Sequence, residues 1–258
     1  MTNIDKHPTG SFCWIELHTS DQPAAKTFYN SLFGWEAHDN PMGDAGVYTM
    51  FRLQGRDAAA GCSLRPDESS QGVPSYWMLY ITVDNTDAAV NKAKQLGGKI
   101  LAPAFDVMDA GRMAVVQDPT GAIFCPWQPN KNNGIGIAHV HGTLCWADLS
   151  TPDAKRAATF YSGLFGWQLT ADPKDSSGYL HIKNGEHFIG GVPPGLSSKT
   201  PPHWLAYFQV DDVDAVASKA KQMGANLYLP PKTMGGVGRF SVIADPQGAV
   251  FAIFKSAR

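Results

Sequence analysis

The amino-acid sequence predicts an α+β protein of two similar halves. Each half reads as a βαβββ unit used twice, with curved mixed sheets covered by helices on one face. Three observations predict it. The 258-residue chain repeats itself. Each half holds helices with apolar residues at i, i+3, i+4 and i+7, flanked by alternating strands. Each half also closes on two strands joined by D-P-x-G, a Pro-containing turn of hairpin type.

The repeat is collinear. Residues 12–35 read FCWIELHTSDQPAAKTFYNSLFGW, and residues 144–167 read LCWADLSTPDAKRAATFYSGLFGW. WMLYITVDNTDAAVNKAKQLGG from Trp77 returns as WLAYFQVDDVDAVASKAKQMGA from Trp204. GRMAVVQDPTGAIF from Gly111 returns as GRFSVIADPQGAVF from Gly238. The first module is therefore set at residues 8–129, the linker at 130–139 and the second module at 140–258.

In order along the first module, residues 13–19 alternate as a strand. Asp21 opens a helix whose buried stripe is Ala25, Phe28, Tyr29 and Leu32, and Gly34 takes the left-handed cap. Residues 47–53 and 58–64 are short strands. The unit restarts at 77–83, followed by a helix over 87–96 with stripe Ala89, Val90, Ala93 and Leu96, closed by Gly97. Strands near 99–101, 112–117 and 122–127 finish the module. The second repeats this with Asp153, then Ala157, Phe160, Tyr161 and Leu164, then Gly166.

Composition removes several function classes. A net charge of -2 with no basic block argues against nucleic acid or acidic lipid as partner. The four cysteines are widely spaced and form no C-x-x-C pair, which argues against a disulfide framework or structural zinc. No apolar run reaches the ~18 residues of a membrane span, and Met1–Gly10 lacks a signal-peptide core. The expected setting is a reducing cytoplasm, and the expected partner is a small molecule.

The pattern strand–[ST]-x-D–helix–F-Y-x-x-L-F-G-W, ending in D-P-x-G-x-x-F, resembles the vicinal oxygen chelate superfamily. That superfamily includes glyoxalase I, extradiol dioxygenases, fosfomycin-modifying enzymes and bleomycin-resistance proteins. The segments VYTM, PAFD, DAGRM and VGRF are similar to a tandem glyoxalase-like branch that includes a mycobacterial culture-filtrate antigen. The resemblance covers nearly the whole chain and implies paired βαβββ motifs forming cups. Isolated modules of this superfamily dimerise, so it implies a monomer with an internal pseudo-dimer, or a homodimer.

The resemblance also implies a divalent metal in the cup, held by two His and one Glu. The first His lies seven residues before the Asp that opens the helix, where this chain has Trp14 and Trp146. The second lies five before the Val ending the fifth strand, at Met78 and Leu205. The Glu lies four after the turn Gly, at Cys125 and Ala252. None offers an imidazole or carboxylate, so no cofactor is expected.

Strand parity then places Trp14, Glu16 and His18 in the first cup, and Trp146, Asp148 and Ser150 in the second. Tyr80 and Tyr207 join them from the fifth strand of each module, and Trp127 and Phe254 from the last. Glu16 and Asp148 read either as acids that bind a ligand, act as a base or offer one metal oxygen, or as structural carboxylates accepting from a neighbour such as Tyr80 or a backbone amide. Burial against apolar walls should raise such an acid's pKa. Arg112 and Arg239 read as forks for a substrate carboxylate or enolate, or as partners of the turn Asp or of a sheet-edge carbonyl. His18 has no copy in the second half, so it reads as a ligand-binding residue of the first cup alone or as packing; His181 and His187 read as packing. His139-x-His141 lacks an acidic third ligand.

Three functions compete on this reading. One is a metal-free, bleomycin-resistance-like protein that binds a planar or aromatic molecule in an aromatic-lined cup. Another is a glyoxalase-like lyase or isomerase, or a hydroxylase or dioxygenase, acting on a small molecule. The third is an interaction protein with vestigial cups, which a cavity below about 300 Å³ favours.

Overall fold

The computed structural model describes residues 3–173, 176–195 and 200–257. The first module runs β1 (Phe12–Thr19), α1 (Gln22–Phe33), β2 (Glu36–Pro41), β3 (Val47–Leu53), β4 (Arg56–Ser63), a short α2 (Pro66–Ser70), β5 (Tyr76–Thr82), α3 (Thr86–Gln95), β6 (Lys99–Val107), β7 (Gly111–Gln117) and β8 (Ile123–Pro129). The second runs β9 (Leu144–Ser150), α4 (Ala154–Phe165), β10 (Gln168–Ala171), β11 (Leu180–Asn184), β12 (His187–Val192), β13 (His203–Gln209), α5 (Val213–Gln222), β14 (Asn226–Met234), β15 (Gly238–Ala244) and β16 (Val250–Ser256).

Each half makes one eight-stranded sheet, in the orders β2-β3-β4-β1-β5-β8-β7-β6 and β10-β11-β12-β9-β13-β16-β15-β14. The two βαβββ motifs of a half join through their first strands, β1 against β5 and β9 against β13, both antiparallel. Each cup therefore draws only on its own half. The edge strand β2 went unread in the sequence because all six of its residues are exposed, so it shows no apolar alternation. A β-bulge between Phe12 and Trp14 interrupts the alternation at Cys13 and resets parity for the cup face of β1.

Asp21 and Asp153 cap α1 and α4, each accepting a backbone N–H at 2.9 Å, three residues on. Gly34 and Gly166 end these helices at φ 74°, with open space where a Cβ would stand. There glycine is required by the left-handed backbone alone.

The two modules pack through their helix-bearing faces. Tyr29 of α1 meets Phe251 of β16, while Phe33, Trp35 and Trp77 surround Phe208 of β13. Around the pseudo-twofold axis, Tyr161 of α4 meets Phe124 of β8, and Trp167 and Trp204 surround Phe12. Tyr29 donates to Asp245 at 2.8 Å, and Tyr161 to Asp118 at 2.9 Å. These are the aspartates of the two D-P-x-G turns, so that residue both shapes its hairpin and accepts a bond from the opposite module. No helix among the described residues is long and apolar enough to cross a membrane.

Candidate functional site

Two central strands build the floor of each cup. On β1 and β5, Trp14 stands opposite Tyr80, Glu16 opposite Met78, and His18 opposite Tyr76. On β9 and β13, Trp146 stands opposite Tyr207, Asp148 opposite Leu205, and Ser150 opposite His203. Directly opposed residues share a face, so Trp14, Glu16 and His18 lie on one side of β1 with Tyr80, and Trp146, Asp148 and Ser150 on one side of β9 with Tyr207.

The acid is the polar centre of each cup. Glu16 accepts from the Tyr48 hydroxyl at 2.5 Å, His18 Nε2 at 2.8 Å and the Tyr80 hydroxyl at 3.2 Å. Asp148 accepts from the Tyr179 hydroxyl at 2.6 Å, the Tyr207 hydroxyl at 2.7 Å and the Trp146 indole N–H at 3.0 Å. Tyr48 and Tyr179 escaped the sequence reading. They occupy equivalent places, Tyr48 near the start of β3 and Tyr179 just before β11, but Tyr-Thr-Met and Tyr-Leu-His share only the tyrosine. That shared tyrosine was the signal available.

The two acids settle in opposite directions. Burial pushes Glu16 up, but the hydrogen bond and charge of His18, with the hydroxyls of Tyr48 and Tyr80, outweigh it and hold the carboxyl below its ordinary value. At Asp148 burial wins over Tyr179, Tyr207 and Trp146, and the carboxyl stands above its ordinary value. His181 acts on it only as a charge. The expectation of a raised acid therefore holds for Asp148 and is corrected for Glu16, where a neighbouring imidazole makes the difference.

The cups also differ in filling. Trp14 is 4% exposed, and Tyr80 and Trp127 are each 5% exposed, so that end of the first cup is filled by side chains, while His18, Tyr48 and Cys62 at its other end are half-buried. In the second, Trp146, Tyr207, Phe240 and Phe254 are half-buried around an open cavity of about 200 Å³. Phe254 stands where the first cup has Trp127, and the smaller ring leaves room. Tyr179, His181 and Met234 complete much of the wall, with Asp148 at its base. Gly191 makes this arrangement possible, because a Cβ there would overlap the Tyr179 hydroxyl.

Arg112 and Arg239 lie elsewhere. Arg112 forks onto Asp87 at 2.8 and 3.0 Å and reaches Asp106 at 2.9 Å; Arg239 forks onto Asp214 and reaches Thr233 at 2.8 Å. Each ties a strand to the first turn of the helix behind it, while the adjacent Met113 and Phe240 take the cup side. Alternation thus corrects the substrate-fork reading: the carboxylate partner is a helix Asp rather than the turn Asp, and Arg112 also donates to the Ala104 carbonyl of edge strand β6 at 3.3 Å, the sheet-edge alternative. His139 sits in a left-handed turn at φ 59°, and His141 pairs with Asp211 at 3.3 Å, so they form no H-x-H ligand pair.

The family's metal positions do not fit a metal in either cup. Trp14 donates its indole N–H to Tyr48, and Trp146 to Asp148 and Tyr179. Burial, reinforced by the Glu16 charge, pushes the Cys125 thiol far up. Met78, Leu205 and Ala252 offer no oxygen or nitrogen ligand. A different set escaped the sequence reading: Glu16, His18 and Cys62, whose ligand atoms all lie within 4.8 Å of one another.

Comparison with known proteins agrees with this architecture. The family model of the Glyoxalase/Bleomycin resistance protein/Dioxygenase superfamily matches residues 11–125 and again 136–253. The Mycobacterium tuberculosis protein CFP32, which carries a glyoxylase name, is 41% identical over 261 residues, 100% of this chain and 99% of its own length. The anthracycline biosynthesis protein DnrV of Streptomyces peucetius is 30% identical over 262 residues, 95% of this chain and 93% of its own. The Mn(II)-bound glyoxalase of Novosphingobium aromaticivorans has a TM-score of 0.67 at 17% identity, over 98% of this chain and 83% of that one. A catechol 2,3-dioxygenase has a TM-score of 0.66 at 12% identity, over 97% of this chain and 89% of that one. Those two likenesses speak to fold alone. With one family model matching each half, and each half folding into its own cup, the chain belongs to the glyoxalase/bleomycin resistance protein/dioxygenase superfamily as a tandem of two modules.

Proposed function

We propose that this protein binds a small planar aromatic molecule in its second cup, without a metal at the family's positions there. The observation that carries this reading is the open cavity of about 200 Å³ walled by Trp146, Tyr179, Tyr207, Phe240 and Phe254, with one buried acid at its base. Aromatic faces take a flat ring by offset stacking, and a single polar group fixes its orientation. The volume is below the roughly 300 Å³ of drug-sized sites, which counts toward the vestigial-cup reading, so a ligand of this cup is limited to one or two rings. A hydroxyl on that ring would donate to Asp148 or to the Tyr207 oxygen, whose own proton is given to Asp148. The relationship to a protein named for anthracycline biosynthesis supports an aromatic class of ligand.

A second reading has its own observation. A carboxyl held above its ordinary value shares the cavity with His181, and such an acid suits proton transfer in a lyase or isomerase.

Titration with 4-nitrophenol and 2-naphthol, followed by tryptophan fluorescence, tests the binding reading. Binding should change Trp146 emission and vanish in Trp146→Ala. Asp148→Asn should weaken it by about 1–3 kcal/mol, roughly five- to a hundredfold, while Glu16→Gln leaves it unchanged. Equal effects of the two substitutions, or no response to either phenol, would overturn the assignment.

A further inference from the structure

We infer that the first module holds a divalent first-row transition ion of the zinc(II) type between Glu16, His18 and Cys62. This is separate from the aromatic site of the second cup. β1 and β4 run parallel in a register that sets His18 beside Cys62, with Glu16 two residues earlier on the same face. Cys62 Sγ lies 3.6 Å from His18 Nδ1 and 3.9 Å from Glu16 Oε1, and His18 Nε2 lies 2.8 Å from that oxygen. Ligands bound at about 2.0–2.3 Å around one tetrahedral ion stand roughly 3–4 Å apart. The two His18 distances use different nitrogens, and an ion takes only one; with one ligand atom per residue the three lie within 4.8 Å of one another, so closing on one centre draws the side chains together around a single His18 nitrogen.

The donor set selects the ion. One thiolate, one imidazole and one carboxylate suit zinc(II) and its first-row neighbours, and suit magnesium or calcium poorly. A carboxylate and a thiolate also neutralise a divalent charge, which matters in a largely buried place. On binding, the Cys62 thiol gives its proton to solvent, and the hydrogen bond from His18 to Glu16 is replaced by bonds from both to the ion. His18 and Cys62 are half-buried, so a fourth position stays open to water.

The surroundings hold the ligands still. The His18 ring stacks on Tyr76 at 4.6 Å between centroids and 9° between planes. The Tyr48 and Tyr80 hydroxyls orient the Glu16 carboxylate, as hydrogen-bond partners of metal ligands do. The family's metal position is two residues earlier on the strand, at Trp14, so the new site is displaced along β1. It exists in one module only. Ala60 stands opposite Glu16 as Gly191 stands opposite Asp148, so Pro193 takes the place of Cys62 and Ser150 that of His18.

Metal-stripped full-length protein is titrated with cobalt(II) and then with zinc(II). The expected result is one ion per chain, with a thiolate-to-cobalt charge-transfer band and the visible bands of four-coordinate cobalt, both lost as zinc displaces it. Cys62→Ser should remove the charge-transfer band. Cys62→Ser and His18→Gln should each weaken zinc binding by more than the roughly 10–100-fold that removing a ligand's hydrogen-bond partner costs. Cys145→Ser should change neither. Should a variant fail to fold, alkylation of the wild-type protein by iodoacetamide, read by peptide mass spectrometry, supplies the decision: zinc must protect Cys62 and leave Cys145 reacting as before. Absence of one-to-one binding, a cobalt form without the thiolate band, a band surviving in Cys62→Ser, or unprotected Cys62 would each overturn the site.

Discussion

At Glu16 and Asp148 the same strand position carries carboxyls with opposite electrostatics. Glu16 sits below its ordinary value, so it adds stability above the unfolded carboxylate pKa of about 4, and that contribution is lost as pH falls through the depressed folded value. Asp148 sits above it, so its contribution is complete below about 4 and is lost as pH rises through the elevated folded value. Urea unfolding across acid to neutral pH should therefore show opposite slopes for the two neutral variants. Relative to the parent, Asp148→Asn should gain stability as pH rises, and Glu16→Gln should lose it. At neutral pH Glu16→Gln should cost about 1–3 kcal/mol, because three donors lose a charged acceptor. Slopes of the same sign would mean that His18 does not set the difference between the cups.

Among the elements, β11 and β12 decide whether the second cup exists. Tyr179 reaches Asp148 and Trp146 only because β12 carries glycine at 191, where a Cβ would come within 1.9 Å of the hydroxyl oxygen. Gly191→Ala should displace the phenol, cost about 1–3 kcal/mol by overpacking, and weaken phenol binding in the same titration. Gly34→Ala is the contrasting case. It should cost about 1–2 kcal/mol for a left-handed alanine with space around it, and leave binding untouched because α1 is remote from the second cup. Thermal unfolding and the phenol titration, run on both variants, separate loss of the cup from loss of stability.

For the whole molecule, the two D-P-x-G aspartates join the modules reciprocally. Tyr29 links Asp245 to the Trp77 indole, and Tyr161 links Asp118 to the Trp204 indole, all four bonds being buried. Tyr29→Phe and Tyr161→Phe each remove one hydroxyl that serves a buried acceptor and a buried donor. Each should cost about 1–3 kcal/mol in urea unfolding, with similar values for the two. A loss below about 0.5 kcal/mol in both would show that ring packing alone holds the modules together.

Much of this protein follows from periodicity and repetition. The helix stripes, the Asp caps, the closing glycines and the D-P-x-G turns are local features, so one sequence with an internal copy suffices to read the two modules. Strand parity likewise put Trp14, Glu16, Trp146 and Asp148 in the cups, because parity needs only the chain's own order. The long-range decisions came from tertiary structure. Tyr48 and Tyr179 reach the acids across the sheet, and Cys62 meets His18 only through the parallel register of β1 and β4. Parity within β7 and β15 turned Arg112 and Arg239 away, but their Asp partners arrive from α3 and α5. Which cup stays open depends on side-chain volume summed over several strands, with Trp127 filling one and Phe254 leaving space in the other. Burial and hydrogen-bond partners, which set the opposite electrostatics of Glu16 and Asp148, exist only once those strands have come together.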